Sequence, residues 1–402
     1  MDSSPLSDIS MSDYSVASTV NNGHESYSTF KVKALALAEE LFGDSGQVTV
    51  SQMHGGANNR VIDISINGQP KYILRIPRHP EAVSMDEEAA MFIFVRNNAR
   101  IPCPRVVSWD GGDDNAIGLP YVIHARVQGD CLYPAWHDSV SIHEKHRIAK
   151  ELGGLYRRMI ETRNDVPGWP AFKADDQMGP NAPVHIESFS LLAARPFVDR
   201  ELVADREWSP TAPPAVSVPR FITLVFEAHQ RALPDEISTS NCEEYVKVLG
   251  ELKEMVTQMD SRGYFNNVGY SLYHNDIYPR NVMYSWSEEN SLVLLDWDEV
   301  SFMPTFMAST PPTWVWEVDE DDDDDNEDHA NLRRHAFETA AGTEYMTFAY
   351  AEEYDLLREL MSFVLRKTVC TVALQDKAYS ILARWGDLQL DDAPASSAST
   401  SG

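Results

Sequence analysis

Alternating apolar and polar residues near the start of the chain predict a small antiparallel β-sheet. Three runs rich in β-branched residues are separated by turns of glycine and asparagine, a pattern typical of consecutive hairpins. Two more strand-like runs follow a helical segment at residues 85–98, which ends at prolines that cannot continue it. The five runs are QVTVSQM, NRVIDISI, PKYILRI, VVSWD and YVIHARV. Together they predict a β-rich lobe.

Beyond residues 124–130 the spacing of apolar residues becomes that of amphipathic helices. Helical runs include HEKHRIAKELGGLYRRMIETR, FITLVFEAHQRAL, NCEEYVKVLGELKEMVTQMD and residues 349–365. Residues 164–220 show little periodicity and predict an irregular insertion with a short helix near SFSLLAARPFV. We therefore expect an α+β protein with a small antiparallel N-lobe, residues 30–125, and a larger, mainly helical C-lobe, residues 126–388.

Three polar segments are expected to lie outside these packed lobes. Residues 1–29 are rich in serine and residues 389–402 are low in complexity, so both are predicted to be disordered tails. Residues 317–328 hold ten acidic side chains among twelve positions. Their mutual repulsion predicts a solvated, flexible loop.

Composition limits the classes of partner. The 402 residues include 33 basic and 62 acidic side chains, and the resulting net charge of -29 argues against nucleic-acid binding. The 4 cysteines are far apart, which excludes zinc and redox spacings and favours a reducing compartment. We see neither a signal-peptide pattern nor an apolar run long enough to span a bilayer. We therefore expect a soluble, cytoplasmic protein with no membrane partner.

The most informative stretch is SLYHNDIYPRNVMY, followed by SLVLLDWDEV. It places His274, Asp276 and Asn281 in the pattern HxDxxxxN, and Asp296 fifteen residues after the asparagine. A strand end and a tight loop bring together oxygen ligands that suit Mg²⁺, and phosphoryl transfer also needs a carboxylate near the attacking hydroxyl. The alternative is that Asp276 caps a turn and Asp296 ends a strand, which are common structural roles for aspartate.

On these motifs the chain resembles the aminoglycoside phosphotransferase family, kinase-like small-molecule phosphotransferases related to choline kinases. The resemblance covers most of residues 45–370 and implies a bilobal, protein-kinase-like fold. It implies that Asp276 orients or deprotonates the substrate hydroxyl and that His274 supports the shape of its loop. It also implies that Asn281 and Asp296 hold Mg²⁺.

Two further stretches resemble nucleotide-binding parts of that family. HGGANNRVIDISI is similar to the hairpin that covers the nucleotide, in which backbone amides at Gly55 and Gly56 approach the triphosphate and Asn58 or Asn59 donates to it. Any hairpin turn uses the same residue types. YVIHARVQGD is similar to the linker between the lobes, whose backbone reads the adenine edge. The candidates there are Ile123, His124 and Ala125, with Arg126 following.

Arg75 occupies an unusual position in this comparison. YILRIPR resembles the third strand of the N-lobe, where a lysine normally neutralises the α- and β-phosphates and pairs with a helix glutamate. Lys71 is about 13 Å away at strand rise and is too far to replace it. Glu88 matches the glutamate partner, and helix phase favours it over Glu87. The alternative is an exposed arginine and an exposed helical charge.

Departures from protein kinases leave two hypotheses. Protein kinases have a lysine two residues after the catalytic aspartate, and this chain has Tyr278 there. Asp298 replaces the glycine of their magnesium motif. It could support the metal, contact a cationic substrate or cap a turn. The first hypothesis is an ATP- and Mg²⁺-dependent phosphotransferase acting on a hydroxyl of a small molecule, for which a cationic acceptor suits the acidic chain. The second is a catalytically silent, kinase-like nucleotide-binding or scaffold protein.

Overall fold

The structure of the protein is a computed structural model that describes residues 26–53, 59–80, 84–173, 179, 182–188, 216–232, 240–284, 292–297, 300–318, 325–365 and 372–391. Its strands are β1 Val48–Gln52, β2 Asn59–Ile66, β3 Gln69–Pro77, β4 Val106–Asp110, β5 Tyr121–Ala125, β6 Asp130–Cys131, β7 Arg163–Asn164, β8 Gly168–Phe172, β9 Val184–Ser188, β10 Tyr270–Tyr273, β11 Val282–Tyr284, β12 Leu292–Leu294 and β13 Ser301–Pro304. Its α-helices are α1 Tyr27–Phe42, α2 Met85–Phe94, α3 Leu132–Asp138, α4 Ile142–Glu161, α5 Val218–Ala232, α6 Ser240–Ser261, α7 Thr305–Ala308, α8 Glu327–Tyr350, α9 Glu352–Val364 and α10 Val372–Asp391.

The five predicted N-terminal strands form one antiparallel sheet in the order β1-β2-β3-β5-β4. Alternation divides its side chains between two faces. Leu74 lies opposite Ile62 and Ile123, and this face packs with α1 into an apolar core. Arg75 lies opposite Val61 on the other face, which turns toward α2. The central position of β3 therefore carries Arg75 into the interior of the lobe.

Helix α2 begins where its sequence provides a cap. The Ser84 side chain accepts a hydrogen bond from the Glu87 backbone N–H at 3.3 Å, which satisfies one of the free amides of the first turn. After Phe94 the chain makes a π-helical turn, Val95–Ala99, before the prolines that end it. Because α2 packs both on the sheet and on the C-lobe core, nearly its whole surface is buried.

The C-lobe contains two small sheets among helices. One has the order β12-β11-β6 and the other β7-β10-β13-β8-β9. Helices α4 and α8 cross closely at Gly153, where a Cβ atom would lie 2.2 Å from the Phe337 carbonyl oxygen. Only glycine permits this approach. The antiparallel N-lobe sheet and the mainly helical remainder confirm the predicted α+β, two-lobed fold.

The predicted insertion at residues 164–220 is more regular than its sequence indicates. Strands β8 and β9 pair as a hairpin, and β8 joins β13 from a distant part of the chain. Phe172 of this hairpin stacks on Trp109 of the N-lobe, with ring centroids 5.3 Å apart. These long-range contacts stabilise strands that local periodicity does not reveal. The helix predicted near SFSLLAARPFV lies outside the described residues.

The boundaries of the predicted tails and of the acidic loop also differ from expectation. Helix α1 begins at Tyr27, inside the predicted tail 1–29, and α10 continues to Asp391, inside the predicted tail 389–402. Within the acidic run, Asp325 is buried beside Arg333, and α8 starts at Glu327. Packing against the lobes explains each difference. The rest of both tails and residues 319–324 lie outside the described residues.

A search of the described residues for membrane-crossing helices found none with the necessary length and apolar character.

Candidate functional site

The catalytic-loop candidates follow directly after strand β10. His274 is buried, and its Nδ1 accepts a hydrogen bond from the Asp276 backbone N–H at 3.2 Å. Nδ1 therefore has no proton, and Nε2 carries the proton that is donated to the Leu295 carbonyl oxygen at 3.0 Å. The ring also contacts Trp297, with centroids 4.8 Å apart. His274 thus connects the Asp276 loop to the end of β12 and is placed to support the loop.

Both carboxylate oxygens of Asp276 are held by neighbouring side chains. Oδ2 accepts from Asn281 Nδ2 at 2.7 Å, and Oδ1 accepts from Arg280 Nη2. The same Asn281 amide donates to the Asp276 carbonyl oxygen at 3.0 Å. The side chain of Asp276 is still 32% exposed. Since each carboxylate oxygen has two lone pairs, an acceptor hydroxyl could still reach it.

Asn281 and Asp296, the residues predicted to hold Mg²⁺, each carry an oxygen donor. Because Asn281 Nδ2 is committed to Asp276, Oδ1 is the amide atom that suits a cation. The Asn281 carbonyl accepts from the Leu295 N–H at 2.8 Å, and the next residue, Asp296, turns into the left-handed region at φ 58° with its side chain 45% exposed. One carboxylate and one neutral oxygen match the protein ligands Mg²⁺ takes beside phosphates.

The part of the chain that the structure describes has no group of three or more His, Cys, Asp or Glu side chains able to hold a metal. Asn281 and Asp296 are therefore an incomplete ligand set. Mg²⁺ at such sites keeps waters and takes oxygens from substrate phosphates. We infer that metal and nucleotide would bind there together.

Arg75 links the N-lobe to the metal-site candidate. Its Nη1 lies 3.0 Å from Glu88 Oε1, and its Nη2 lies 3.5 Å from Asp296 Oδ1. The Glu88 side chain is only 1% exposed, so helix phase identified the glutamate that faces the arginine, and Glu87 remains partly exposed. The two terminal nitrogens of the planar guanidinium each face a different carboxylate. The ammonium group of a lysine has a single nitrogen and cannot do this. Arg75 therefore faces Glu88 and Asp296 inside the protein rather than solvent, and its contact with phosphate stays a prediction.

The predicted nucleotide hairpin is only partly described. Gly55, Gly56 and Asn58 lie outside the described residues. Asn59 begins β2 two residues before Val61 and therefore shares the Arg75 face of the sheet. It is 4% exposed. Its contact with the triphosphate stays a prediction.

The residues predicted to form the linker between the lobes lie at the end of the N-lobe sheet. Ile123, His124 and Ala125 lie in strand β5, between β3 and β4. The Ala125 N–H donates to the Arg105 carbonyl oxygen at 2.8 Å, and the Arg126 N–H donates to the Lys71 carbonyl oxygen at 2.9 Å. Because the sheet uses these two donors, they are not available to an adenine base. Contact of the other backbone groups of Ile123, His124 and Ala125 with adenine stays a prediction.

The side chain of His124 has a location that its sequence position did not indicate. Its Nε2 lies 3.5 Å from Glu88 Oε1, and its ring packs on Phe92 with centroids 4.3 Å apart. Glu88 therefore faces Arg75 and His124 together. The His124 side chain is therefore placed to orient the glutamate.

Sequence reasoning also missed two supports of the catalytic loop. Arg280 holds Asp276, as described above, and Trp314 Nε1 donates to the Ile277 carbonyl oxygen at 2.9 Å. The prolines and tryptophans around Trp314 are typical of a packed segment. The sequence also carried a signal for the contact between Arg280 and Asp276, because the two residues are four positions apart. Asp298 lies outside the described residues.

Two tyrosines behind the loop stay neutral. Burial raises the pKa of Tyr273 to about 12, and nearby Tyr278 adds to the rise. Burial raises the pKa of Tyr156 further, because it is completely enclosed. Neither phenol competes with Asp276 as a proton acceptor at neutral pH.

The chain has a clear sequence match. The profile of the phosphotransferase enzyme family, APH, matches residues 49–307, which include the sheet, Arg75 and the catalytic loop. This chain belongs to that family. Its fold is the protein-kinase-like one that the resemblance implied.

Two fungal relatives are both called "Altered inheritance of mitochondria protein 9, mitochondrial". The one from Candida tropicalis is 27% identical over 94 residues, which cover 22% of this chain and 15% of the relative. The one from Candida albicans is 22% identical over 192 residues, covering 43% of this chain and 31% of the relative. The match thus spans less than a third of either relative.

Similar solved structures include a streptomycin–ATP ternary complex of the phosphotransferase APH(2″)-IIa, at 12% identity and a TM-score of 0.45, covering 87% of this chain and 95% of that one. Another is a thermostable variant of the phosphotransferase APH(4)-Ia with ADP and hygromycin B, at 15% identity and a TM-score of 0.43, covering 90% of this chain and 100% of that one. Family membership rests on the sequence match.

Proposed function

We propose that this protein transfers the γ-phosphate of ATP to a hydroxyl group of a small molecule. One observation carries the proposal: the Asp276 carboxylate, the amide of Asn281 and the backbone leading to Asp296 are joined by hydrogen bonds into one unit. That unit combines a hydroxyl-facing carboxylate with two oxygen ligands for a cation. Membership of a phosphotransferase family supports the same reading.

Asp276 is the proposed catalytic base. The hydrogen bond from Asn281 holds the carboxylate in place, so an acceptor hydroxyl can be aligned without reorganising the loop. The hydroxyl oxygen attacks the γ-phosphorus, the bond to the β,γ-bridging oxygen breaks, and the hydroxyl proton passes to Asp276. ADP is the leaving group.

Arg75 is the proposed phosphate anchor, oriented by the buried Glu88. Asn281 and Asp296 would hold Mg²⁺, which when bound neutralises phosphate charge. The contact between Arg75 and Asp296 places the anchor beside the metal ligands. In this proposal Arg75, Asn281 and Asp296 all face the phosphate end of the nucleotide.

The acceptor we propose is a hydroxyl-bearing and preferably cationic small molecule. The net charge of -29 would attract a cation and repel an anion over several ångströms. The two solved phosphotransferases named above hold streptomycin and hygromycin B. The described residues do not specify a particular acceptor, so a panel of amines and alcohols is the right probe.

We place this activity in the cytoplasm. The two fungal relatives carry "mitochondrial" in their names, which makes the compartment worth testing directly. The protein should fractionate with cytosolic markers. Recovery inside protease-protected mitochondria would overturn this part of the proposal.

The test is transfer of ³²P from γ-labelled ATP, with Mg²⁺, to a panel of hydroxyl-bearing amines and alcohols. We expect labelled product with the wild-type chain and none with Asp276→Asn. The variant should still bind ADP, because Asp276 is proposed to act on the acceptor hydroxyl and not to hold the nucleotide. Nucleotide binding without transfer to any acceptor would instead favour the catalytically silent protein.

A further inference from the structure

Arg280 is a cation beside Asp276 whose role so far is to hold that carboxylate. Its Nη2 donates to Asp276 Oδ1, and its guanidinium lies over the Tyr278 ring, 4.8 Å from the centroid. The Arg280 side chain is 58% exposed. It therefore combines a fixed direction with access to solvent beside the carboxylate.

The backbone beneath this side chain is firmly placed. The Arg280 carbonyl oxygen accepts from Cys131 Sγ at 3.3 Å, and the turn Pro279–Asn281 leads directly into β11, which pairs with β12 and β6. The ion pair itself is partly exposed on both sides. Such pairs contribute only about 0–1 kcal/mol, so Arg280 can exchange the carboxylate for another anion at little cost.

The other cation at the site is engaged with different groups. Arg75 contacts Glu88 and Asp296, on the N-lobe side. During transfer, negative charge spreads over three oxygens of the moving phosphoryl group, which needs a positive partner near the acceptor. Tyr278 occupies the position of the kinase lysine, and a guanidinium two residues later suits phosphate by donating through two parallel N–H groups.

We propose that Arg280 contacts the γ-phosphoryl group of the bound nucleotide. The inference rests on the proposed function and assigns one further residue to it. When the nucleotide binds, Arg280 moves from Asp276 Oδ1 to the γ-phosphate oxygens, which frees that carboxylate oxygen for the acceptor hydroxyl. The acceptor O–P bond then forms and the β,γ-bridging bond breaks. The electron pair leaves on ADP, the proton goes to Asp276, and Arg280 stays with the transferred phosphoryl group.

The test compares nucleotides with and without a γ-phosphate. Dissociation constants for ADP and for β,γ-imido-ATP, each with Mg²⁺, are measured by calorimetry on the full-length wild-type chain and on Arg280→Ala and Arg280→Lys. Arg157→Ala is the matched control, because Arg157 also pairs with an acidic residue four positions away, Glu161, and is 59% exposed. Melting temperatures verify that each variant is folded.

Arg280→Ala should weaken the imido-ATP complex roughly ten-fold, the loss of one charge-assisted contact, and leave ADP binding nearly unchanged. Arg280→Lys should retain part of the preference, and Arg157→Ala should match the wild type. Equal weakening of both nucleotides, or no weakening, would overturn the role of Arg280 while leaving the proposed function intact. If the wild-type chain binds neither nucleotide, the proposed function fails and this inference fails with it.

Discussion

Replacing Asp325 with asparagine should destabilise the protein by about 3 to 5 kcal/mol, the usual cost of removing one partner from a buried ion pair. Asp325 accepts hydrogen bonds from Arg333 at 2.6 and 3.0 Å, and Lys145 Nζ lies 3.8 Å from its Oδ2. All three side chains are 1% exposed. Asparagine preserves the shape of the side chain but removes the negative charge that faces Lys145 and Arg333. Because two buried cations lose their partner, we expect a loss in the upper part of the range of about 3 to 5 kcal/mol.

The same cluster is connected to the catalytic loop. Arg333 Nε donates to the Val315 carbonyl oxygen at 2.9 Å and Nη2 donates to that of Glu317 at 3.1 Å. Between these anchors and the loop lies Trp314, which binds the Ile277 carbonyl. Losing the Asp325 charge should therefore loosen the segment that supports the loop.

The assay is urea unfolding at neutral pH, with the midpoint and slope measured for the wild type and Asp325→Asn. Glu327→Gln is the control, because this exposed residue belongs to the same acidic run and should cost about 1 kcal/mol or less. The double variant Asp325→Asn with Arg333→Gln should cost less than the sum of its single changes. A loss of less than about 1 kcal/mol in Asp325→Asn would refute the buried network.

Three further predictions follow from the structure. Arg75→Ala should raise the dissociation constant of Mg²⁺·ADP at least roughly ten-fold, and Lys71→Ala should leave it unchanged in the same titration. Trp314→Phe removes the donor to Ile277 and should lower the free energy of unfolding by about 1 kcal/mol, measured in urea. Burial alone would raise the pKa of Glu359, but hydrogen bonds from its lysine and arginine partners lower it overall. Its charged form is the stabilising one, so the free energy of unfolding should fall as pH drops below 4.5, and Glu359→Gln should reduce that slope.

Local patterns predicted the N-lobe because its strands pair with sequence neighbours and one face is apolar. The acidic run shows where local reasoning fails. Ten acidic residues among twelve positions indicate solvation, yet Asp325 is buried because Lys145 and Arg333 come to it from two helices far apart in sequence. Strands β8 and β9 were missed for the same reason, since β8 pairs with β13, more than a hundred residues away.

In the site, residue order identified what the loop geometry brings together, namely His274, Asp276, Asn281 and the approach to Asp296. The contact between Asp276 and Arg280 is also local, but it is visible only when the turn between them is known. The contact of His124 with Glu88 depends on the register of β5 against β3 and on the packing of α2. No single stretch of sequence contains that information.

The most direct test of the central claim is the stability of the protein with and without ATP plus Mg²⁺, for the wild type and Asp296→Ala. Bound nucleotide at 100 times its dissociation constant should stabilise the wild type by about 2.7 kcal/mol. The gain should require Mg²⁺ and should be mostly lost in the variant, while the variant without nucleotide unfolds like the wild type. No gain at millimolar ATP, or an equal gain in Asp296→Ala, would contradict the proposed site.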